Sequence, residues 1–339
     1  MFPWLKPIFD AVLTNYSNSM LSHAVVFESV VNVGAETLLE RLSAGILCES
    51  LNDLKVCGKC YSCVNFMQEK THPDYIEVKP EDNGLITLSS IQNIVASLST
   101  KPYCGGARVI VIYDIDQLHV SAANALLKIL EEPRSDVYFL LTSSDIEGVL
   151  DTIKSRCFSI SITIDEEEIR SYLISEVATS TLENNLSVED AIRLSHKSPL
   201  LAVDLLTANS QKLEDFFKIR DFLFESLKNS RCPVEMAEKS LEITTTKEIV
   251  NWLIVIYSDL YKVLIGLEVN YIYNQDKIDE LKILASLMEE KGLYFIYRYL
   301  LKLKKLRSNI IRLNQSLLLE NLYIKILGEI NEVNAKAKT

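Results

Sequence analysis

Apolar runs of strand length alternate with helix-period segments over the first half of the chain. Val25-Val26-Phe27 reads as a buried strand, and Val109-Ile110-Val111-Ile112-Tyr113 is a longer run rich in β-branched residues. Such unbroken runs suit parallel strands buried on both faces. Tyr138-Phe139-Leu140-Leu141-Thr142 is another, Tyr75-Ile76-Glu77-Val78 is shorter, and residues 157–164 give a last, mostly alternating strand. Helical spacing fills the intervals. It runs over 8–22 (Ile8, Ala11, Val12, Tyr16), about 34–44, 88–99 and 122–130, the last stopped near Pro133. In 88–99, Ile91, Ile94, Val95 and Leu98 share one face. Strands separated by helices predict a doubly wound parallel sheet over residues 1–164.

The pattern then becomes wholly helical. Asp165-Glu166-Glu167-Glu168 opens a helix with the acidic first turn that the helix dipole favours. Residues 165–208 are expected to form a small helical lid domain, and 209–339 an all-α C-terminal domain. Residues 249–267 are apolar on most sides, which predicts burial in a bundle or an interface. The tail 331–339 is small and polar and is expected to fray.

With 339 residues, two or three domains are expected, and 48% apolar usage supplies ample core. Forty-six acidic against 35 basic residues leave a net charge of −11, which argues against a chain that grips nucleic acid by itself. No stretch approaches the roughly 20 apolar residues that span a bilayer. Met1-Phe2-Pro3-Trp4 lacks the basic and apolar regions of a signal peptide. Together with seven cysteines, an odd number, this predicts a cytoplasmic protein whose thiols are reduced.

Four of those thiols fall within sixteen residues, as Cys48 followed by Cys57-x-x-Cys60-x-x-Cys63. That spacing wraps one tetrahedral Zn²⁺, and a four-thiolate site without an open position is structural. Gly58 permits the tight turns of close ligation, and His72, in a loop before Pro73, is read as a turn or packing residue.

A phosphate loop reads G-x-x-x-x-G-K-[ST], in which backbone N–H groups and the lysine cradle phosphates and the hydroxyl holds Mg²⁺. After the first strand only Gly34 survives. Ser29 replaces the leading glycine, Ala35 the lysine, and Glu36 the hydroxyl. Asp114 ends the strand 109–113 where a Mg²⁺-binding aspartate would stand, but Ile115 follows in place of the glutamate that polarises water. For Asp114 and Asp116 the favoured reading is helix or turn capping. These losses leave no catalytic set for hydrolysis.

Ala123-Asn124-Ala125-Leu126-Leu127-Lys128-Ile129-Leu130-Glu131-Glu132-Pro133 resembles the "NALLKxLEEP" signature of bacterial clamp-loader AAA+ subunits. Ser155-Arg156-Cys157, the cysteine knuckle and His72-Pro73-Asp74 strengthen the resemblance, which spans residues 23–157. The degenerate loop places the chain with the non-hydrolysing members of that family and apart from its ATP-binding motors.

The resemblance implies that Arg156 is an arginine finger acting in trans on a neighbour's ATP, where a guanidinium stabilises the spreading transition-state charge. Thr142 and Ser143 match a polar sensor position, and without a nucleotide they are expected to cap the following segment. In Lys197-Ser198-Pro199-Leu200, Leu200 stands where the family has a second sensor arginine. The implied partners are the motor subunits, the clamp-opening delta subunit, the sliding clamp and, through the complex, primed DNA. The implied third domain is an oligomerising collar, with apolar faces around 249–267 and 293–303 as interface. The run Lys302, Lys304, Lys305 and Arg307 is read as a solvated face. Two alternatives stay open: an ATP-hydrolysing motor-type subunit and a zinc-knuckle DNA-binding module.

Overall fold

A computed structural model of the chain describes residues 1–29, 32–69, 71–81, 84–104, 106–177, 188–195, 198–207, 211–229, 231–305 and 314–336. Two compact units result, Met1–Thr207 and Ala208–Thr339.

The first unit carries one five-stranded sheet. In chain order its elements are α1 (Lys6–Ser17), β1 (Ala24–Ser29), α2 (Ala35–Leu47), α3 (Tyr61–Val64), β2 (Tyr75–Val78), α4 (Leu88–Ser97), β3 (Arg108–Ile112), α5 (Val120–Glu131), β4 (Val137–Ser143), α6 (Asp151–Lys154) and β5 (Phe158–Ile162). The strand order is β2-β3-β4-β1-β5, and every pairing is parallel.

Because successive side chains on a strand point to opposite faces, each apolar run feeds two cores. Val25, Phe27, Val109, Val111 and Leu140 pack under α1 and α2 with Leu13, Leu38, Leu39 and Leu42. Val26, Ile110, Ile112, Phe139 and Leu141 pack under α4 and α5 with Ile91, Ile94, Leu126 and Leu130. This three-layer arrangement is the doubly wound α/β domain the sequence predicts. On the outer strand β5 burial grows along one face, from exposed Phe158 through half-buried Ile160 to buried Ile162, instead of alternating between faces.

Several expected boundaries move. The helix expected over 8–22 stops at Ser17, and Ser19 adopts a left-handed φ of 57°. Tyr113 lies just past β3. Val95, placed by spacing on the buried face of α4, is 47% exposed.

The rest of this unit holds α7 (Glu166–Val177), α8 (Val188–Leu194) and α9 (Pro199–Thr207), closed on a small core of Ile169, Leu173, Ala191, Ile192, Ala202 and Leu206. Part of the expected lid, 178–187, lies outside the described residues.

The second unit is all helical: α10 (Gln211–Lys228), α11 (Pro233–Ile243), α12 (Thr246–Leu264), α13 (Ile278–Ser286), α14 (Glu290–Lys305) and α15 (Gln315–Lys336). Its core is built on α12, whose Ile249, Val250, Leu253, Ile256, Tyr257 and Leu260 are buried, as the apolar stretch 249–267 implies. Beyond Leu264 that stretch surfaces, with Ile265 and Leu267 exposed. The Asp259 carboxylate accepts bonds from the amides of Tyr273 (3.0 Å) and Asn274 (2.8 Å), pinning the connection to α13. The expected frayed tail is helical as far as Lys336. Arg307 of the basic run lies outside the described residues.

Candidate functional site

The turn after β1 stands at the C-terminal edge of the sheet, where open α/β sheets bind ligands. Gly34 caps α2 with a φ of +86°, a conformation only glycine adopts without strain. Phe2 packs closely against Gly34. A Cβ built on Gly34 would stand 2.4 Å from the Phe2 ring. Phe2 stacks on Trp4 with centroids 5.2 Å apart, and both meet Tyr172 of α7 edge-on at 5.8 and 5.1 Å. The Trp4 indole Nε1–H donates to the Val33 carbonyl at 2.9 Å. The amide of Leu200 and the hydroxyl of Ser198 both donate to the Asn32 carbonyl, at 3.3 and 3.4 Å. Leu200, at the second-sensor position, thus touches the loop through its backbone. Lys197 lies outside the described residues.

The field at this edge is unfavourable for a triphosphate. Glu36 is exposed in the first turn of α2. The Tyr113 phenol is pushed up by burial and further by Glu77, Glu36 and Glu40. Lys79, 4.8 Å over the Tyr113 ring, is held by a 2.7 Å ion pair with Glu77.

At the end of β3, Asp114 takes a left-handed φ of 50° and makes no side-chain cap to the 3-10 turn Ile115–Gln117. The capping expected of Asp114 is therefore absent, and its amide instead donates to Thr142 Oγ1 at 2.9 Å. Ile115 is buried. Asp116 fits the capping reading better: its Oδ1 accepts from the Ser143 hydroxyl at 2.9 Å and the Ser144 amide at 3.2 Å. The two sensor-position residues therefore bridge the ends of β3 and β4.

Arg156 lies after α6, and its side chain is about a third exposed. Nη1 donates to the Thr152 carbonyl at 2.9 Å and to Ser155 Oγ at 3.3 Å, and Nη2 donates to Glu131 Oε1 at 2.8 Å. Neighbouring Cys157 packs against the core under α4 and α5, and burial pushes its thiol up to about 11.

The four knuckle thiols converge. The Sγ atoms of Cys48, Cys57, Cys60 and Cys63 lie within 4.8 Å of one another, a set that could hold a metal ion. Cys57 and Cys63 sulfurs are 3.8 Å apart, matching the separation of about 3.8 Å that tetrahedral bonds of about 2.3 Å impose. Backbone N–H groups point at the sulfurs: Cys57 N at Cys48 Sγ (3.4 Å), Cys60 N at Cys57 Sγ (3.3 Å) and Cys63 N at Cys60 Sγ (3.3 Å). Hydrogen bonds from the Lys59 and Cys60 amides draw the Cys57 thiol down to about 6, whereas burial pushes the Cys63 thiol up. Glu49 closes the loop by accepting from the Ser62 amide and hydroxyl at 3.0 and 2.9 Å.

A buried polar network beside the knuckle is not signalled by any motif spacing. His72 is buried, its Nδ1 accepts from the Asp74 amide at 3.1 Å, and its Nε2 lies 3.7 Å from Cys104 Sγ. This agrees with the turn-and-packing role expected of His72. The Asp74 carboxylate accepts from the Tyr103 amide (2.8 Å), the Cys104 amide (2.9 Å) and Arg108 Nη2 (3.0 Å). Its oxygens are committed to these donors, so the cluster of His72, Asp74 and Cys104 works as a strut under the insert. In the sequence its signs are His72-Pro73-Asp74 and the charged Arg108 set directly before the apolar run 109–113.

The parallel sheet and its helical connections define a doubly wound α/β module, followed by a helical C-terminal domain. A family model described as DNA polymerase III, delta subunit, matches residues 5–187, and its C-terminal counterpart matches 214–327. The chain belongs to this family, and delta-prime subunits are among the curated proteins it resembles. It is 33% identical over 206 residues to the DNA polymerase III subunit delta' of Haemophilus influenzae, covering 61% of this chain and 62% of that protein. It is 31% identical to that of Escherichia coli over 62% of each chain. The subunit delta' of Buchnera aphidicola from Acyrthosiphon pisum is 28% identical over 94% of this chain and 95% of its own length. Among the described residues, no helix is long and apolar enough to cross a membrane.

Proposed function

We propose that this chain is a cytoplasmic, non-hydrolysing delta-prime-type subunit of a bacterial clamp loader that lends Arg156 to ATP bound by an adjacent motor subunit. The observation that carries the reading is a contrast between the chain's own phosphate-loop position and Arg156. The chain's own loop lacks the lysine and hydroxyl, faces Glu36, and is packed against Phe2, while Arg156 stands partly exposed on another surface. A guanidinium at a developing γ-phosphate charge supplies electrostatic stabilisation that no group on the motor itself need provide.

In this reading residues 1–164 form the AAA+-like domain, 165–208 a lid and 209–339 a collar that joins the hetero-oligomer. The partners are the motor subunits, the delta subunit and the sliding clamp, with primed DNA met through the assembly. The cysteine knuckle binds one structural Zn²⁺ through Cys48, Cys57, Cys60 and Cys63. The metal compensates for a segment with few apolar contacts of its own, and with four thiolates it has no position left for chemistry.

The test is Arg156→Ala in a loader reconstituted with its motor subunits. The variant should fold and co-elute, and the ATP site that Arg156 faces should lose hydrolysis by about 10³-fold or more. Turnover equal to wild type at every site, or micromolar Mg²⁺-ATP binding with turnover by this chain alone, would overturn the assignment.

A further inference from the structure

Arg156 is held by a residue from a different element, and that contact has consequences beyond the finger itself. Glu131 is the last residue of α5, and its carboxylate meets Arg156 Nη2 at 2.8 Å. A carboxylate in the last turn of a helix sits against the negative end of the dipole. Its placement is therefore unfavourable for α5 alone and is offset by the guanidinium. On the other side, Nη1 is fixed by the Thr152 carbonyl and Ser155 Oγ. A guanidinium carries five N–H donors. These contacts engage three of them and leave two on a side chain that is about a third exposed.

We infer that Glu131 is a positioning residue for the finger: it fixes the guanidinium plane before any partner arrives, so that the remaining donors are presented to an incoming phosphate. This deepens, and rests on, the finger reading above. The physical need is entropic. An arginine side chain carries about 2 kcal/mol of rotamer freedom, and a free one would have to be ordered within the transition state. Held between a backbone carbonyl and a carboxylate, it has been ordered during folding. Because Glu131 bonds one flank of the fork, its negative charge lies beside the cation, and the phosphate approaches on the other side.

The experiment is a double-mutant cycle in the reconstituted loader, reading kcat and KM for ATP hydrolysis together with co-elution. Glu131→Gln keeps an acceptor but loses the charge. It should lower kcat about three- to fivefold, the limit for an exposed ion pair, with KM unchanged. In the Arg156→Ala background the same substitution should have no further effect. An equal loss in both backgrounds, a failure of Glu131→Gln to co-elute, or unchanged turnover would overturn the positioning role. Faster turnover would also overturn it, by making Glu131 a brake on the finger. If Arg156→Ala alone leaves hydrolysis intact, the finger reading itself fails, an outcome distinct from failure at Glu131 only.

Discussion

Replacing Asp74 by alanine should destabilise the N-terminal unit more than any other single polar change described. The side chain is fully buried, and three donors converge on its two oxygens at 2.8–3.0 Å. Its removal orphans the Tyr103 and Cys104 amides and leaves the Arg108 charge buried against neutral carbonyls of Ser97, Thr100 and Lys101. Breaking a buried pair from one side costs about 3–5 kcal/mol, a large part of the 5–15 kcal/mol that holds a typical domain together. Arg108→Met should cost less, because Asp74 would keep its two amide donors.

The chain has two tryptophans, Trp4 in the first unit and Trp252 in the second. In a Trp252→Phe background, Trp4 fluorescence therefore reports urea unfolding of the first unit alone. At about 2–3 kcal/mol per molar urea, the midpoint of Asp74→Ala should fall by about 1–2.5 M. The pH dependence follows from the carboxyl. Burial pushes it up, but the Cys104 and Tyr103 amides and the Arg108 guanidinium outweigh burial and hold it below its ordinary range. The unfolded chain then binds the proton more readily, so this stabilisation is complete above about pH 4 and is lost as pH falls through the folded pKa. Asp74→Ala should lack that acid-side loss. A midpoint shift below about 0.3 M, or a greater cost for Arg108→Met, would refute the strut.

Two further outcomes follow from the site geometry. Purified from a zinc-containing medium, the chain should carry one metal per molecule by elemental analysis; chelation or Cys57→Ser should lower its melting temperature, and metal-free protein with an unchanged melt would exclude the structural site. Gly34→Ala meets both a left-handed φ of +86° and the Phe2 ring, so it should cost about 2–3 kcal/mol and lower the melt of the first unit by about 4–12 °C. A shift below 1 °C would show that Phe2 does not pack on this turn.

The sheet was readable because its strands are buried on two sides. Val109 to Ile112 alternate between the two cores, so no polar residue interrupts them and the run stands out in the sequence. The knuckle was readable because its thiols lie close together in the chain. Contacts between distant segments leave no such trace. Asp74 and Arg108 are 34 positions apart and follow no period. Val95 misled because helical spacing fixes a face but not how far the neighbouring helix covers it. Phe2 and Trp4 at an N-terminus look like ordinary apolar residues until folding brings them against the loop.

That last contact changes how the loop after β1 should be understood. Substitution at Ala35 and Glu36 alone would remove affinity for phosphate while leaving an open cradle that a reversing mutation could refill. Here the Val33 and Asn32 carbonyls are bonded to Trp4 and to the start of α9, and an aromatic stack reaching Tyr172 of α7 covers Gly34. Restoring the lysine and hydroxyl would return charge to the turn and leave the Phe2 packing on Gly34 in place. The same contacts join the N-terminal segment, the loop and the helices after the sheet into one packed body. In this body the bridge from the N-terminal segment to the helices after the sheet is made by the chain's own side chains.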